Sequence, residues 1–410
     1  MPKRQSIAAY DVIIAGGGII GTTMACALGD TTLKVALLER APPPSIPEGD
    51  YDLRVSAITL ASQRIFDQLG AWQAMAAVRV SPVEAMRVWD STGSGTIDLD
   101  AADIGERCLA YIVENRVIVH ALAERVRGFA NVHAVYGSDI DAITLDDGAS
   151  ITLADGRRFK APLLVGADGA QSSVRNNAGI EFRQLPFNQH GIVATVRTQR
   201  PHGHVARQRF LPTGPIALLP LGEPHTSSLV WSMDDDGLPA LQALDAGAFA
   251  EKLTSCFGDV LGAISVISER AAFPLIAGHA AHYVAEHVVL IGDAAHTVHP
   301  LAGQGANLGI LDAATLAEVI RDAAASRQEI GTRRVLRRYE RWRKEDNLTM
   351  LAATSGLKLL FGNTLAPLRW ARNLGLTATD RFTPVKQWIM RQASGVSGEL
   401  PALARRNGEQ

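Results

Sequence analysis

Three glycines near the start of the chain have the spacing of a loop that binds phosphate. Gly16, Gly18 and Gly21 form a Gly-x-Gly-x-x-Gly pattern directly after a short apolar run, residues 12–15. In this pattern the first glycine permits a tight turn and the second lets the backbone approach a pyrophosphate. The third lets a helix pack closely on the preceding strand, with its first N–H groups facing the phosphates. The spacing therefore predicts a bound dinucleotide.

An acidic residue follows where a dinucleotide-binding fold needs one. A second apolar run, residues 33–38, ends at Glu39, eighteen residues after Gly21. In a βαβ unit an acid at this place accepts hydrogen bonds from the adenosine ribose. Strand, helix, second strand and acid occur in the required order, which favours a binding loop over glycines that only make a turn. Arg40, the next residue, is included in the predicted cofactor site.

Two later stretches each place an aspartate after a short apolar run. Residues 161–165 lead into Gly-Ala-Asp168-Gly, and residues 288–291 lead into Gly-Asp293. We interpret Asp168 as part of a second wall of the dinucleotide cleft. The alternative is that Asp168 only forms a turn or caps a helix. After Asp293, a glycine-rich loop leads into a helix predicted from about Gly305 to Ile320.

Several other polar residues have both a functional and a structural interpretation. Arg54 either forms a surface ion pair or reaches the dinucleotide or its reductant. A helix is predicted over residues 111–125, where Glu114 and Arg116 face either the cofactor or solvent. His296 and His299 are grouped with no third and fourth ligand, so a cap or pocket-wall role is favoured and no metal site is predicted.

The composition is that of a soluble globular protein. The chain has 410 residues, 47% hydrophobic, with a net charge of −2, so nucleic acid is not an expected partner. Its three cysteines are far apart and fit thiols in a reducing compartment. Asp11 and three glycines interrupt the apolar N-terminal stretch, which argues against a signal peptide, and no apolar run reaches membrane-spanning length. We expect a cytoplasmic protein, with peripheral attachment at the inner membrane surface left open.

The order of elements predicts an α/β fold (α+β overall). A Rossmann-like dinucleotide-binding domain is combined with an antiparallel-sheet substrate lobe and a C-terminal helical segment. A basic helix after Arg333 is expected to present mostly a solvated face, which includes Arg343. The predicted divisions are residues 1–182 for the first part of the dinucleotide domain, with 82–100 crossing into the lobe sheet, 183–275 for the lobe, 276–345 for the second part, 346–400 for the C-terminal helices and 401–410 for a disordered tail.

Together these motifs resemble those of class A FAD-dependent monooxygenases, which share the para-hydroxybenzoate hydroxylase fold. The resemblance is carried by GGGIIG with Glu39, by GADG at 166–169 and by IGDAAH at 291–296. Within that class the sequence is most similar to the hydroxylases of ubiquinone biosynthesis. That likeness covers most of residues 10–380, is weakest in 183–275, and is carried by YDLRVSAIT (51–59), YIVENRV (111–117), GADGAQSSVR (166–175) and HPLAGQGANLGILDA (299–313).

The resemblance implies that the dinucleotide is FAD and assigns a place to each motif. The implied cofactor-binding residues are Gly16, Gly18 and Gly21 at the pyrophosphate, Glu39 at the adenosine ribose, Arg54 and Asn115 along the FAD, Asp168 at the cofactor side of the cleft, Asp293 at the ribityl chain, and Gly305, Ala306 and Asn307 near the isoalloxazine ring, with Arg40 included in the cofactor site. The flavin-ring loop, residues 300–307, contains the implied catalytic positions Pro300, Gly303, Gln304 and Gly305.

The implied reaction is aromatic hydroxylation of a polyprenyl phenol with O₂ and NAD(P)H, through a flavin C4a-hydroperoxide. The turn from Gly303 to Gly305 can aim backbone N–H groups at negative charge on the flavin ring. The chain has one Gly-x-Gly-x-x-Gly motif, which FAD would use, so NAD(P)H is expected to bind transiently. No acid or base is identifiable, and His190, His296 and His299 are the candidates.

Two other functions are compatible with the same motifs. One is an FAD hydroxylase of a small soluble aromatic compound, and the other is a non-catalytic scaffold of a quinone-synthesis complex that keeps FAD for stability. The turn at 303–305 and Asp293 argue against a scaffold. The C-terminal helices could line a channel for the polyprenyl tail, contact a membrane or bind partner proteins, although packing against the FAD domain is the favoured interpretation. The oligomeric state is left open.

Overall fold

The computed structural model describes residues 7–45, 49–185, 188–298, 305–361 and 366–406. The strands in this part of the chain are β1 (Ile7–Ala9), β2 (Val12–Ala15), β3 (Val35–Glu39), β4 (Val55–Thr59), β5 (Ser81–Val83), β6 (Ala85–Asp90), β7 (Thr96–Asp100), β8 (Ala110–Glu114), β9 (Val132–Tyr136), β10 (Ile140–Asp146), β11 (Gly148–Leu153), β12 (Arg158–Ala161), β13 (Leu163–Gly166), β14 (Phe182–Leu185), β15 (Gln189–Thr198), β16 (Val205–Leu211), β17 (Gly214–Pro220), β18 (Thr226–Asp234), β19 (Ile264–Val266), β20 (Ala271–Pro274), β21 (Ala277–Ala280), β22 (Val284–Ala285), β23 (Val288–Leu290) and β24 (His296–Thr297).

Helices connect and cover these strands. Over the same described ranges they are α1 (Ile19–Ala27), α2 (Leu60–Gln68), α3 (Trp72–Val78), α4 (Asn115–Arg127), α5 (Ser173–Asn177), α6 (Leu238–Gln242), α7 (Ala246–Phe257), α8 (Gly305–Ala325), α9 (Arg333–Phe361), α10 (Ala366–Arg381) and α11 (Thr383–Ala393).

The core of the first domain is a parallel sheet. Its strand order is β22-β23-β13-β2-β3-β9, and each of the four ladders from β23 to β9 is parallel. The side chains of β2 are fully buried, which explains why this segment reads as a continuous apolar run. α1, α4 and α8 contribute to the same core. The sheet brings the carboxyl ends of β2, β13 and β23 together at one edge.

A second sheet forms the predicted lobe, and its role in binding the substrate stays a prediction. Its order is β19-β15-β18-β17-β16-β6-β7, with β20 also paired to β15. The strands β6 and β7 thus leave the first domain and join the lobe. The pairs are antiparallel except β6 with β16, which run parallel. Within residues 183–275 the strands of this sheet pair antiparallel, as predicted. The parallel pair involves β6, which precedes β16 by more than 100 residues, so no hairpin imposes an antiparallel direction.

α9 runs without a break across the predicted boundary at residues 345/346. It contains 29 residues, and no proline interrupts it. At 1.5 Å per residue it is roughly 44 Å long. One helix therefore belongs to both the second part of the first domain and the C-terminal segment.

The end of the chain is packed as far as residue 406, contrary to the expectation of disorder from 401. Leu400 and Leu403 pack against the main core, and Ala404 is buried. The backbone N–H of Ala402 donates to Glu318 Oε2 at 2.7 Å. Apolar residues spaced between polar ones were enough to fix this segment. Residues 407–410 lie outside the described residues.

Candidate active site

The glycine-rich loop follows β2 and its geometry requires glycine. Gly16 has φ of +103°, and a Cβ there would lie 2.4 Å from the backbone O of Ala167. A Cβ on Gly21 would lie 1.9 Å from the backbone O of Gly16. Side chains at these two positions would therefore prevent the turn and the close approach of α1 to it.

Gly18 is different because it faces open space. A Cβ built on it would meet no heavy atom of the described chain within 4 Å. Gly18 is also the N-cap residue of α1, and no side chain caps this helix. The first N–H groups of α1, at its positive end, therefore adjoin a space that can admit an anionic group.

Glu39 lies beside this loop at the end of β3. Its Oε2 accepts a hydrogen bond from the backbone N–H of Gly17 at 2.5 Å, and its Oε1 accepts one from Ala41 at 2.8 Å. The two contacts fix the carboxylate next to the glycine turn. Contact of Glu39 with an adenosine ribose stays a prediction. Arg40 is exposed next to it.

The second wall of the cleft is formed by backbone rather than by the Asp168 carboxylate. The N–H of Ala167 donates to the backbone O of Ala15 at 2.8 Å, so β13 ends beside the glycine loop. The Asp168 carboxylate accepts hydrogen bonds from the Ser172 hydroxyl, the Ser173 hydroxyl and the N–H of Val174. It thus holds the start of α5, as in the turn-and-cap interpretation. Contact of Asp168 with a cofactor or reductant stays a prediction.

Asp293 and Arg54 are 239 positions apart in the sequence and lie near one another in the cleft. Asp293 is on a short 3-10 turn, Gly292–Ala294, with an exposed side chain that accepts no hydrogen bond from the described residues. Protein surrounds the cleft here, and this burial raises the pKa of Asp293, while the charges of His296 and Arg54 oppose the rise. The Arg54 guanidinium also lies 5.7 Å from the ring centroid of Phe273.

Asn115 and Asn307 both attach to the segment that carries Arg54. The Asn115 Oδ1 accepts a hydrogen bond from the Ser56 hydroxyl at 2.7 Å. The Asn307 amide spans the end of β4: its Oδ1 accepts from the N–H of Thr59 at 3.0 Å, and its Nδ2 donates to the O of Ala57 at 2.7 Å. The two asparagines therefore position β4. Direct contact of either with a cofactor stays a prediction.

Glu114 is neither a solvated first-turn residue nor part of a helix. Residues 110–114 form β8, which pairs with β4, and α4 begins only at Asn115. The buried Glu114 carboxylate accepts a hydrogen bond from the N–H of Asp52 at 2.7 Å and pairs with Arg79 and Arg116. It anchors the loop that precedes Arg54.

A buried ionic cluster lies beneath the third motif. Its centre is Asp312 of α8, which is fully buried. The Asp312 Oδ2 accepts hydrogen bonds from His296 Nε2 and from the N–H of Gly292, and its Oδ1 accepts from Arg343 Nε and Asn347 Nδ2. Burial alone would raise the pKa of Asp312, but the charge and hydrogen bond of His296, with Arg343 and Asn347, lower it to about 2. The cluster ties the turn that carries Asp293 to α8 and α9.

The flavin-ring loop itself falls largely outside the described residues. This applies to His299, Pro300, Gly303 and Gln304, whereas Gly305 and Ala306 are the first residues of α8. On either side of the loop, Val298 and Leu308 are buried in one cluster with Leu351 of α9. α9 thus contacts both ends of the loop.

The other two histidines proposed as bases are held by carboxylates. His190 Nδ1 lies 2.8 Å from Asp235 Oδ1 in the lobe. His296 is 2% exposed, and its Nε2 is directed at Asp312, away from solvent. His296 is therefore a positioning residue of the third motif. Among the described residues, no group of three His, Cys, Asp or Glu side chains has the arrangement of a metal site.

Comparison with known proteins identifies the family. Residues 9–351 match the family model described as FAD binding domain. The chain is 40% identical over 400 residues to the ubiquinone hydroxylase UbiL of Rhodospirillum rubrum, covering 96% of this chain and 92% of the relative. It is 39% identical over 438 residues to the mitochondrial ubiquinone biosynthesis monooxygenase COQ6 of Xenopus tropicalis, covering 94% of each. The chain belongs to the FAD-dependent hydroxylases of ubiquinone biosynthesis.

Another relative of this hydroxylase is the 3-demethoxyubiquinol 3-hydroxylase of Escherichia coli, 34% identical over 388 residues, with 94% of this chain and 98% of the relative covered. Solved structures confirm the predicted fold. PqsL from Pseudomonas aeruginosa superposes with a TM-score of 0.77 at 23% identity, covering 90% of the hydroxylase and 100% of PqsL. The p-nitrophenol 4-monooxygenase PnpA from Pseudomonas putida has the same TM-score at 20% identity, covering 94% and 98%.

The hydroxylase uses FAD, and its described residues fit that cofactor. The space at Gly18 and the uncapped start of α1 suit a pyrophosphate. The Asp293 carboxylate is exposed, and no group of the described chain donates a hydrogen bond to it. It can therefore accept hydrogen bonds from hydroxyl groups of a ligand. These features lie along one edge of the sheet, at the ends of β2 and β23.

Replacing Gly18 by alanine in the hydroxylase should weaken FAD binding without unfolding the chain. The backbone φ of −70° suits alanine and the new Cβ has room, so we expect the free energy of unfolding of the apoprotein to change by about 1 kcal/mol or less. The methyl group would occupy the approach of the phosphates, and the Kd for FAD should rise roughly tenfold or more, about 1.4 kcal/mol. Flavin fluorescence titration measures this. Gly247→Ala, in the first turn of α7, is the matched control, and equal FAD affinities of the two variants would contradict the assignment.

Sequence reasoning missed two buried arginines of the hydroxylase. Arg175 Nη1 donates to the O of Ala294 at 3.0 Å and Nη2 to the O of Ala170 at 2.8 Å, so it connects the second motif to the third. Arg343 is buried against Asp312, although it was assigned to a solvated basic face. The sequence did contain a signal for the pair of Arg343 with Asp312. Asp312 stands among apolar residues inside a helix, and a buried carboxylate requires a partner.

Proposed function

We propose that this protein hydroxylates the aromatic ring of a polyprenyl phenol intermediate of ubiquinone biosynthesis, with O₂ as oxygen source and NAD(P)H as electron donor. The names of its relatives refer to ubiquinone, its biosynthesis and demethoxyubiquinol. FAD supplies the oxygen-transfer chemistry when bound, and the chain supplies orientation, charge and exclusion of water.

The observation that carries the substrate proposal is an apolar pocket between the lobe and α9. It has a volume of about 280 Å³. Phe210 and Phe361 stack in it, with ring centroids 3.7 Å apart and planes at 18°. Its lining is mostly apolar and consists of Phe210, Leu211, Pro212, Pro215, Leu359 and Phe361, together with Gly214 and the polar residues Gln189, Asp234 and Lys358. Such a lining favours a hydrocarbon ligand.

The pocket is separated along α9 from Leu351, which clusters with Val298 and Leu308. Leu351 packs with both ends of the flavin-ring loop, and Leu359 and Phe361 follow it on α9 by eight and ten residues. At 1.5 Å per residue this separation is roughly 12–15 Å. A phenol with a long tail can place its ring at the loop and its tail in the pocket, whereas a small phenol cannot span both.

We propose further that the start of α8 stabilises negative charge on the bound flavin ring. α8 begins at Gly305, so its first N–H groups and the positive end of its dipole adjoin the loop residues 300–304. This arrangement would stabilise negative charge that develops on the isoalloxazine ring. Binding of NAD(P)H in the open cleft near Arg54, without a second glycine motif, remains part of the same proposal.

The substrate proposal predicts a dependence on tail length. Leu359 is 73% exposed, so Leu359→Asp should leave the fold intact while making the pocket unfavourable for hydrocarbon. We expect kcat/KM for a long-tailed phenol to fall roughly tenfold or more, about 1.4 kcal/mol, and kcat/KM for the same phenol without its tail to stay within about twofold. Product formation is followed by mass spectrometry of the hydroxylated phenol.

Ile267→Asp replaces an exposed apolar side chain of the lobe, away from α9; it is the matched control and should change neither rate. If the wild-type enzyme hydroxylates the tail-less phenol as well as the long-tailed one, the function is hydroxylation of a small aromatic compound. If FAD-loaded protein hydroxylates neither phenol with NADH or NADPH, the catalytic proposal is wrong.

A further inference from the structure

Helix α11 exposes two large apolar side chains and turns polar ones toward the lobe. Lys386 Nζ lies 3.2 Å from Asp103 Oδ2, and Gln387 Nε2 donates to the O of Asp103 at 2.7 Å, so the polar side of the helix faces the lobe. Met390 on that side is buried. Val385 and Trp388, on the opposite side, are 39% and 62% exposed. A helix that only covered the lobe would have the reverse pattern.

Two more exposed apolar side chains lie on or just after α10, which packs against α11. Phe382, between the two helices, is 59% exposed and Leu374 is 53% exposed. Ten large hydrophobic side chains are exposed in the described chain, and four of them fall within residues 374–388. We name the surface formed by Leu374, Phe382, Val385 and Trp388 the outer face. A cluster of this kind marks an interaction site rather than ordinary scattered exposure.

The charge of the outer face is positive. Arg381 and Arg391 are exposed and form no ion pair within the described residues. Residues 381–393 contain no Asp or Glu. The nearest acid in the sequence, Asp380, is engaged on the inner side by Lys386 at 3.5 Å. Two unpaired arginines beside exposed Trp and Phe are the combination that binds anionic headgroups and the interfacial layer of a bilayer.

A buried ion pair fixes this face relative to the apolar pocket. Arg372 of α10 pairs with Asp90 of β6, and both side chains are buried. The same guanidinium donates to the backbone O of Phe361 at 3.0 Å, and Phe361 lines the pocket. Asn373 accepts a hydrogen bond from the N–H of Gly95 at 2.7 Å, which adds a second attachment of α10 to the lobe. α10, which carries Leu374 of the outer face, is therefore attached beside the pocket.

Among the described helices, none has the length and apolar character needed to cross a membrane. Contact at a membrane surface needs neither, because side chains of an amphipathic helix enter only the interfacial layer. We propose that the outer face docks the protein onto a lipid bilayer that contains anionic phospholipids. Docking itself does not depend on the proposed function. Only its expected benefit, direct delivery of a membrane-dissolved phenol to the pocket, rests on that function.

Co-sedimentation of the full-length FAD-loaded protein with vesicles tests the proposal. Phosphatidylcholine vesicles containing about one third phosphatidylglycerol should bind the wild type, and pure phosphatidylcholine vesicles should bind it more weakly. The double variant Phe382→Asp/Trp388→Asp should lose tenfold or more in partition coefficient on the anionic vesicles. Arg381→Glu/Arg391→Glu should remove the preference for anionic vesicles, and Ile267→Asp should behave as wild type.

Three results would overturn the docking site. The first is that the Phe382/Trp388 variant binds vesicles as strongly as the wild type does, and the second is that the wild type binds neither kind of vesicle. The third is that the wild type forms a dimer in gel filtration that the variant does not form, because the occupant of the outer face would then be a second copy of the chain. The rate on a detergent-dissolved tail-less phenol reports on catalysis separately, and the Phe382/Trp388 variant should retain it. Absence of wild-type activity on both the tail-less and the long-tailed phenol would count against the proposed function and not against docking.

Discussion

Replacing Asp312 by alanine should lower the free energy of unfolding by about 3–5 kcal/mol, the cost of leaving a buried charge without its partner. Arg343, 3% exposed, would lose its main counter-charge, and the buried His296 would lose its hydrogen-bond acceptor. The N–H of Gly292, next to Asp293, would also lose its acceptor. We therefore expect weaker FAD binding together with a lower Tm, measured by thermal unfolding and by flavin release.

Arg338→Ala is the matched control for this variant. It removes an exposed ion pair with Asp322 on the same two helices, and such pairs contribute about 0–1 kcal/mol. If Asp312→Ala lowers the free energy of unfolding no more than Arg338→Ala does, the buried cluster is not what holds the third motif in place.

The pKa of Asp312 gives the same prediction a pH dependence. Its folded-state pKa, about 2, lies below the unfolded value of roughly 3.9. The ionised carboxylate therefore stabilises the folded state fully above about pH 4, and this contribution is lost as the pH falls toward about 2. Denaturant titrations of wild type and Asp312→Asn should show a difference in free energy of unfolding that shrinks below pH 4. A difference that stays constant through that range would contradict the assignment.

Asp293→Ala should have the second large effect, a loss of FAD affinity rather than a loss of folding stability. A hydrogen bond to a charged acceptor contributes about 1.5–3 kcal/mol, so the Kd for FAD should rise roughly ten- to 150-fold. The described residues give the Asp293 carboxylate no hydrogen bond of their own, and the stability of the apoprotein should hardly change. Titration of the apoprotein with FAD measures the first effect and thermal unfolding the second.

Asp293→Asn keeps an acceptor oxygen and should lie between wild type and Asp293→Ala, while Asp236→Ala, an exposed aspartate of the lobe, should bind FAD normally. Equal FAD affinity of Asp293→Ala and wild type would show that the carboxylate does not hold the ribityl chain.

The sequence predicted the fold and the cofactor because both depend on local patterns. The apolar run of β2, the glycine spacing at 16–21 and the acid at position 39 are each set by backbone geometry within one βαβ unit. The flavin motifs at 166–169 and 291–296 follow two more strands of the same sheet. Comparison with relatives and solved structures confirms the FAD-dependent family and its fold.

Asp168 was interpreted as part of the cofactor cleft, with a turn or cap role as the alternative. Its carboxylate accepts hydrogen bonds from Ser172, Ser173 and Val174 at the start of α5, and its contact with a cofactor stays a prediction. Partners in distant segments are harder to predict than such local ones. Asn307 lies in the flavin motif, yet its amide is used by β4, about 250 residues earlier. Local pattern does not reveal such partners.

Arg343 shows where closer attention to periodicity would have helped. It belongs to a run of basic residues that looks uniformly solvated. Leu336 and Tyr339 are buried, and Arg343 follows them by seven and four residues, which puts it on the same side of the helix. The helical phase thus directs this arginine toward the core, where Asp312 neutralises it.

The position of β23 in the parallel sheet has a consequence for synthesis of the protein. β13 pairs with β2 on one side and with β23 on the other, and β23 follows β13 by about 120 residues. At about 5–20 residues per second, the ribosome needs roughly 6–25 s to make the intervening lobe. Throughout that interval the nascent chain presents a fully apolar strand with one unpaired edge, a template for aggregation. Residues 163–166 are therefore the place where we expect a chaperone to bind during translation.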